Sequence, residues 1–256
     1  FDGYKANPAY ALSCLKAAHD AGARWLVLCD TNGGTLPEDA YRIVSEVKAK
    51  LPSANLGVHA HNDTEQAVAV SLAAVNAGAR QIQGTLNGLG ERCGNANLCA
   101  ILPTLMLKPF YADRFETGIA PDGLAKLTSI SRLLDEILNR APNRHSAYVG
   151  PSAFAHKGGL HVSAVQKDPR TYEHVTPESV GNQRHILVSD QAGRSDIMAR
   201  LALLGIDVDA KDKRIGRLLE DVKSREFLGY AYDGAEASFG LLARRARVAG
   251  AGLAAR

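Results

Sequence analysis

Two stretches 56 residues apart read almost alike: "AAHDAGARWLVL" (17–28) and "AAVNAGARQIQG" (73–84). In each, an alanine-rich helical pattern stops at a glycine, Gly22 or Gly78, and a short run of strand length follows. Before the first stop, residues 8–22 put Ala11, Leu12, Leu15 and Ala18 on one helical face, and residues 24–30, "RWLVLCD", read as a strand. After "DTNGG", Pro37 opens a second helix with acids in its first turn and lysines in its last, the order that suits a helix dipole. Residues 55–60 form the next strand, 62–78 a helix and 80–86 a third strand. A last helix crosses "NLCAILPTLML" and is expected to be strained or ended near Pro103. Strand starts near 25, 56 and 81 lie one βα unit apart. Consecutive βα units dictate parallel strands joined by right-handed crossovers, an α/β fold.

In such repeats the chemistry gathers where strands end. Three polar clusters fall at those ends: "DTNGG" (30–34), "HAHND" (59–63) and "NGLGERCGN" (87–95). Histidines at i and i+2 of a strand share a face, roughly 6.6 Å apart along it. His59 and His61 can therefore converge on one cation at a Zn–N distance of ~2 Å, and Ala60 points the other way. The bland alternative is two polar residues at a strand end. In the glycine-rich loop, Asn95 or Asn97 is a candidate N-cap, Gly94 gives clearance for a ligand, and Asn95 can offer a carbonyl oxygen to a metal. Asp30 and Thr31 fit either an Asx-type turn or, through Thr31, a bond to a carboxylate.

After about residue 110 the repeat stops, which divides the chain into 1–110 and a mainly helical 111–256. Leu127, Ile130, Leu133, Leu134 and Ile137 mark one helical face. "AHKGGLH" places His156 and His161 in a glycine-rich segment, a surface loop on pattern alone, with a helix beginning near 161. A helix is expected from about Asp196 with Ser195 as its cap, and two more flank "LGYAYDG".

Composition narrows the function classes. The 256 residues are 46% hydrophobic and 22% charged, ordinary for a globular enzyme. The net charge of +3 sits largely in an arginine-rich tail, with no basic stripe interleaved with aromatics, so nucleic-acid binding is not expected. No run approaches the ~20 apolar residues of a membrane span. Cys14, Cys29, Cys93 and Cys99 form no CxxC pair, which points to free thiols and a cytoplasmic setting.

The stretch "VHAHNDTEQAVAVSLAAVNAGARQIQGTLNGLGERCGNANL" resembles the signature region of the Claisen-condensing metal enzymes, the DRE-TIM metallolyase superfamily of isopropylmalate, homocitrate and citramalate synthases. "FDGYKANPAYAL", "SAFAHKGGLHVSAVQKDPRTYEH" and "GYAYDGAEASFGLLARR" are most similar to the citramalate branch. The resemblance implies the last three βα units of a (β/α)₈ barrel, followed by helical linker subdomains. It implies a divalent metal (Zn, Mn or Mg) on His59, His61 and Asn95, and Thr31 on the carboxylate of a 2-oxo acid. It implies His161 as a catalytic histidine that enters a partner's barrel in a homodimer, with Tyr172 beside it, and acetyl-CoA as co-substrate. The implied reaction is acetyl-CoA with pyruvate and water to citramalate and CoA, a step toward isoleucine. The family's first-strand "DxTLRDG" motif, fifth-strand glutamate and regulatory domain have no counterpart here, so the chain alone is expected to be inactive. Isopropylmalate or homocitrate synthesis, a metal hydrolase and a non-catalytic interaction module are the rivals.

Overall fold

Strands β1 (Leu26–Asp30), β2 (Leu56–Ala60) and β3 (Gln81–Gln83) form one parallel sheet in that order. The computed structural model describes residues 1–157, 159–187, 192–209, 211–232 and 235–246. Register aligns Leu28, Val58 and Ile82 in one row and Cys29, His59 and Gln83 in the next. Strand side chains alternate, so the first row joins the buried core and the second points to the opposite face.

Helices α1 (Asp2–Ala6) and α2 (Pro8–Asp20) precede β1, α3 (Pro37–Lys50) links β1 to β2, and α4 (Ala67–Asn76) links β2 to β3. Gly22 and Gly78 stop α2 and α4 with φ of +92° and +119°, the left-handed conformation that glycine adopts without strain. α3 begins at Pro37 as expected and buries Ala40, Ile43, Val44 and Val47. Ala18 is exposed, whereas Ala11, Leu12 and Leu15 pack against the core. α4 starts five residues later than its pattern suggests, because Asn62 bonds Gly94 and Ala67 instead of joining the helix.

α5 (Leu98–Leu107) runs straight through Pro103. Proline inside a helix costs about 3 kcal/mol. Burial of Ile101, Pro103 and Leu105 opposes that cost, and Asn97 caps the start by accepting from the Cys99 amide at 2.9 Å. Then come α6 (Pro109–Ala112), α7 (Pro121–Leu124) and α8 (Leu127–Ile137). α8 reverses its expected orientation: Thr128 and Ser131 are buried with Leu127, while Ile130, Leu133 and Ile137 are exposed. Asn87 explains this. Its amide donates to the Ser131 carbonyl at 3.0 Å and to Asp135 at 3.1 Å, and its oxygen accepts from the Ser131 hydroxyl at 2.6 Å.

The chain divides into one unit of residues 1–142 with 147–149 and a second of 143–146 with 150–256. The boundary lies beyond 110, where the repeat ends, because Asn87 ties α8 to the loop after β3. The second unit holds a short parallel pair, β4 (Ala155–His156) and β5 (His185–Ile186), with α9 (Gly159–Lys167) between them. α10 (Arg194–Leu203), α11 (Lys213–Phe227) and α12 (Glu236–Arg245) close around Ile197, Leu201, Ile215, Leu218, Val222 and Phe239. α10 starts before Ser195, which is not its cap: Gly193 is, and its amide bonds the Asp196 carboxylate. Asp233 and Gly234 of the "LGYAYDG" break lie outside the described residues. The fold class is thus α/β, three barrel-type βα units followed by a mainly helical region. The four cysteines are free thiols, and burial of Cys99 pushes its pKa up.

Candidate functional site

His59 lies near the carboxyl end of β2 and His61 one step past it, on the same side of the chain. Their ring centroids are 5.1 Å apart and the planes nearly perpendicular, at 89°. The loop after β3 doubles back along this end. Ala96 N–H donates to the Ala60 carbonyl at 3.0 Å, Asn62 N–H to the Gly94 carbonyl at 2.9 Å, and Asn95 pairs with His61 as an antiparallel bridge. Bridged residues present their side chains side by side, so the Asn95 amide stands next to the imidazoles.

Hydrogen bonds fix the lone pairs of two of these residues, His59 and Asn95. His59 Nδ1 lies 3.2 Å from the Gln83 carbonyl oxygen, which only accepts, so Nδ1 carries the proton and Nε2 keeps its lone pair. Asn95 Nδ2 donates to the Leu89 carbonyl at 2.8 Å, and its Oδ1 is left buried without a hydrogen-bond partner. His61 Nδ1 is likewise buried without one. A buried polar atom left unpaired costs about 1–3 kcal/mol. In the tautomer that leaves His61 Nδ1 unprotonated, these two atoms and the His59 Nε2 lone pair fit a cation held by two nitrogens and an amide oxygen. Among the described residues no three His, Cys, Asp or Glu gather as a metal cluster; the third candidate donor here is an amide.

A single arginine gathers the three loops. Arg92 Nε and Nη2 donate to the two oxygens of Asp63 at 2.8 and 3.0 Å, and Nη2 also donates to the Thr31 carbonyl at 2.8 Å. The guanidinium holds the Asp63 carboxyl below the usual carboxylate range. Gly33 and Gly94 are required by crowding. A Cβ on Gly33 would overlap the Asp63 carboxylate, and one on Gly94 would overlap the Gly88 carbonyl. The clearance at Gly94 is thus needed by the backbone of its own loop.

Thr31 is exposed at the end of β1 with its backbone held by Arg92. The loop behind it is built on Asp30, which is buried and accepts from the Thr35 hydroxyl at 2.6 Å. Asn32 supplies the Asx turn by accepting from Gly34 N–H at 2.9 Å.

In the second unit, His161 is exposed on α9, which buries Val162 and Val165, and Tyr172 follows a 3₁₀ turn at Pro169–Thr171. Their rings stack with centroids 4.2 Å apart and planes at 28°. His156, read from pattern as a surface-loop residue, is instead 8% exposed, because its Nε2 lies 3.0 Å from Glu173 Oε1. Glu173 also accepts both arms of Arg184, each at 2.6 Å. Arg184 above all, and His156 after it, hold the Glu173 carboxyl below the usual range against the opposing effect of burial. Sequence reasoning missed this cluster and the Arg92 clasp. The signal was charged residues inside small-residue loops, which a single sequence leaves unpaired.

Residues 2–132 match the HMGL-like family and residues 148–226 match the homocitrate synthase post-HMGL domain-like family. The chain belongs to the HMGL-like family. This HMGL-like chain is 55% identical over 246 residues to an (R)-citramalate synthase of Geobacter sulfurreducens, covering 96% of this chain and 46% of that protein. It is 53% identical over 245 residues to the (R)-citramalate synthase of Aquifex aeolicus, with the same shares of 96% and 46%. Against a 2-isopropylmalate synthase of Methylacidiphilum infernorum the identity is 34% over 215 residues, covering 82% of this chain and 42% of that protein. The chain spans about half the length of the curated relatives it matches.

Proposed function

We propose that this chain works in a citramalate synthase, joining the acetyl group of acetyl-CoA to pyruvate in the cytoplasm. The observation that carries the metal chemistry is the pair of buried polar atoms without hydrogen-bond partners, His61 Nδ1 and Asn95 Oδ1, with the His59 ring beside His61. His59, His61 and Asn95 would hold a divalent ion, which when bound would supply Lewis acidity toward the carbonyl of the 2-oxo acid.

The chain's own residues do the rest. Thr31 hydrogen-bonds the pyruvate carboxylate and fixes which face of the carbonyl is presented. His161 takes a proton from the acetyl methyl group, a general-base task suited to an imidazole. Tyr172, stacked on that ring, holds it in place. The methyl carbon then bonds to the carbonyl carbon, whose oxygen takes up a proton to become the alcohol. Water cleaves the thioester and releases CoA, which draws the sequence forward. The enzyme acts as a homodimer, in which His161 of one copy serves the metal centre of the other.

Isopropylmalate and homocitrate synthesis share this chemistry and differ in the 2-oxo acid. The identity of 55% to a citramalate synthase against 34% to an isopropylmalate synthase favours pyruvate. The test is CoA release by the full-length protein with pyruvate, 2-oxoisovalerate and 2-oxoglutarate in parallel. Pyruvate is expected to give the highest kcat/KM, and preference for either of the others rejects the assignment.

A further inference from the structure

The His161–Tyr172 stack rests on a buried carboxylate next in the chain to the tyrosine. The Glu173 side chain is 3% exposed and the facing His156 side chain 9%. A carboxylate that deeply buried is tolerated only when its lone pairs are satisfied, and here three donors converge on it: both arms of Arg184 and the ring of His156. The two donor residues stand together because β4 and β5 pair. His185 N–H bonds the Phe154 carbonyl at 2.9 Å and Leu187 N–H the His156 carbonyl at 2.9 Å, which brings Arg184 beside His156.

Tyr172 is therefore fixed from both sides. Its amide and that of Glu173 both bond the Pro169 carbonyl, at 3.1 and 2.9 Å, closing the turn before it. The clamped Glu173 holds the chain after it. The ring contacts two imidazoles, stacked on His161 and edge-on to His156 with centroids 6.5 Å apart. Release of Glu173 leaves that ring without its backbone anchor and without a fixed His156 behind it.

We propose that Glu173, clamped by Arg184 and His156, is a positioning residue that holds Tyr172 against His161 for the proton-transfer step. The inference rests on the reading of His161 and Tyr172 as the proton-handling pair. The clamp makes no contact with substrate; it acts through the tyrosine.

The test is a double-mutant cycle in the full-length protein. Glu173→Gln is isosteric but presents an amide to the Arg184 fork. It is expected to lower kcat about 10-fold or more, since a misplacement of ~1 Å is costly in a positioned site. KM for both substrates and metal content are expected to hold within about two-fold. In a Tyr172→Ala background the same substitution is expected to cost less than about two-fold, because the group it positions is gone. Arg184→Lys keeps a cation while removing the fork, and carries the same expectation should Glu173→Gln melt too easily. Wild-type kcat in both variants, or an undiminished penalty in the Tyr172→Ala background, overturns the proposal. A His161→Ala enzyme at full rate removes the reading beneath it; a slow His161→Ala enzyme with a fast Glu173→Gln enzyme removes only the positioning role.

Discussion

Arg92 grips both carboxylate oxygens of Asp63, and the same guanidinium holds the Thr31 carbonyl. One side chain from the loop after β3 thereby ties down the loops after β1 and β2. The ion pair is partly exposed, with side-chain exposures of 43% and 23%, so its worth to global stability is small. Its worth to loop order is larger. Arg92→Ala is expected to leave the melting temperature near wild type and to weaken Mn²⁺ or Zn²⁺ binding about 10-fold, as loss of a partner behind metal ligands does. Calorimetric titration reads this, and an unchanged affinity would show that the clasp does not order the site.

The two histidine groups should separate cleanly. His59→Ala or His61→Ala is expected to abolish stoichiometric metal binding and turnover together, because each removes a nitrogen donor. His161→Ala, on the second unit, is expected to retain metal and lose about 10²–10⁴-fold in kcat, the usual contribution of a positioned acid or base. Elemental analysis beside steady-state rates distinguishes them; metal lost from His161→Ala would contradict the division of labour.

The Glu173 clamp predicts an acid limb in stability. Its folded-state pKa is depressed, so its contribution is complete above the usual glutamate range and fades as pH falls through the lowered folded value. Urea midpoints measured from neutral to acid pH are expected to fall more steeply for the wild type than for Glu173→Gln. Parallel curves would mean that the carboxylate carries no such linkage.

Gly94 has φ of +89° and no room for a side chain against the Gly88 carbonyl. Gly94→Ala is expected to cost about 1–3 kcal/mol, the scale of a strained left-handed residue. It should also displace neighbouring Asn95 and so weaken the metal site. Equilibrium unfolding with a metal titration on the same variant checks both effects, and a neutral result would mean that the loop has room to relax.

The periodicities that make the three βα units were legible by eye. Apolar runs at a strand's length, helical stripes, and glycines at Gly22 and Gly78 are local instructions, and local backbone preference obeys them. The same held for His59 and His61, because alternation along a strand is a local rule. The face buried by α8 was not legible. Its apolar stripe follows helical spacing, but Asn87, more than 40 residues away, bonds the polar side and turns Ile130, Leu133 and Ile137 outward. α5 does not end at Pro103 for a related reason: burial of Ile101 and Leu105 supports the helix across the proline.

Spacing along a few residues carries the parallel βα order, the pair of histidines at a strand end and the likeness to a metal-dependent family, because each is a local pattern. Folding alone sets Asn95 beside His61 with an unpaired oxygen, binds Arg92 to Asp63, and closes His156 and Arg184 on Glu173. Those contacts join loops and strands distant in the chain. Their partners are chosen by which backbones the sheet and turns bring together, a choice that no local pattern carries.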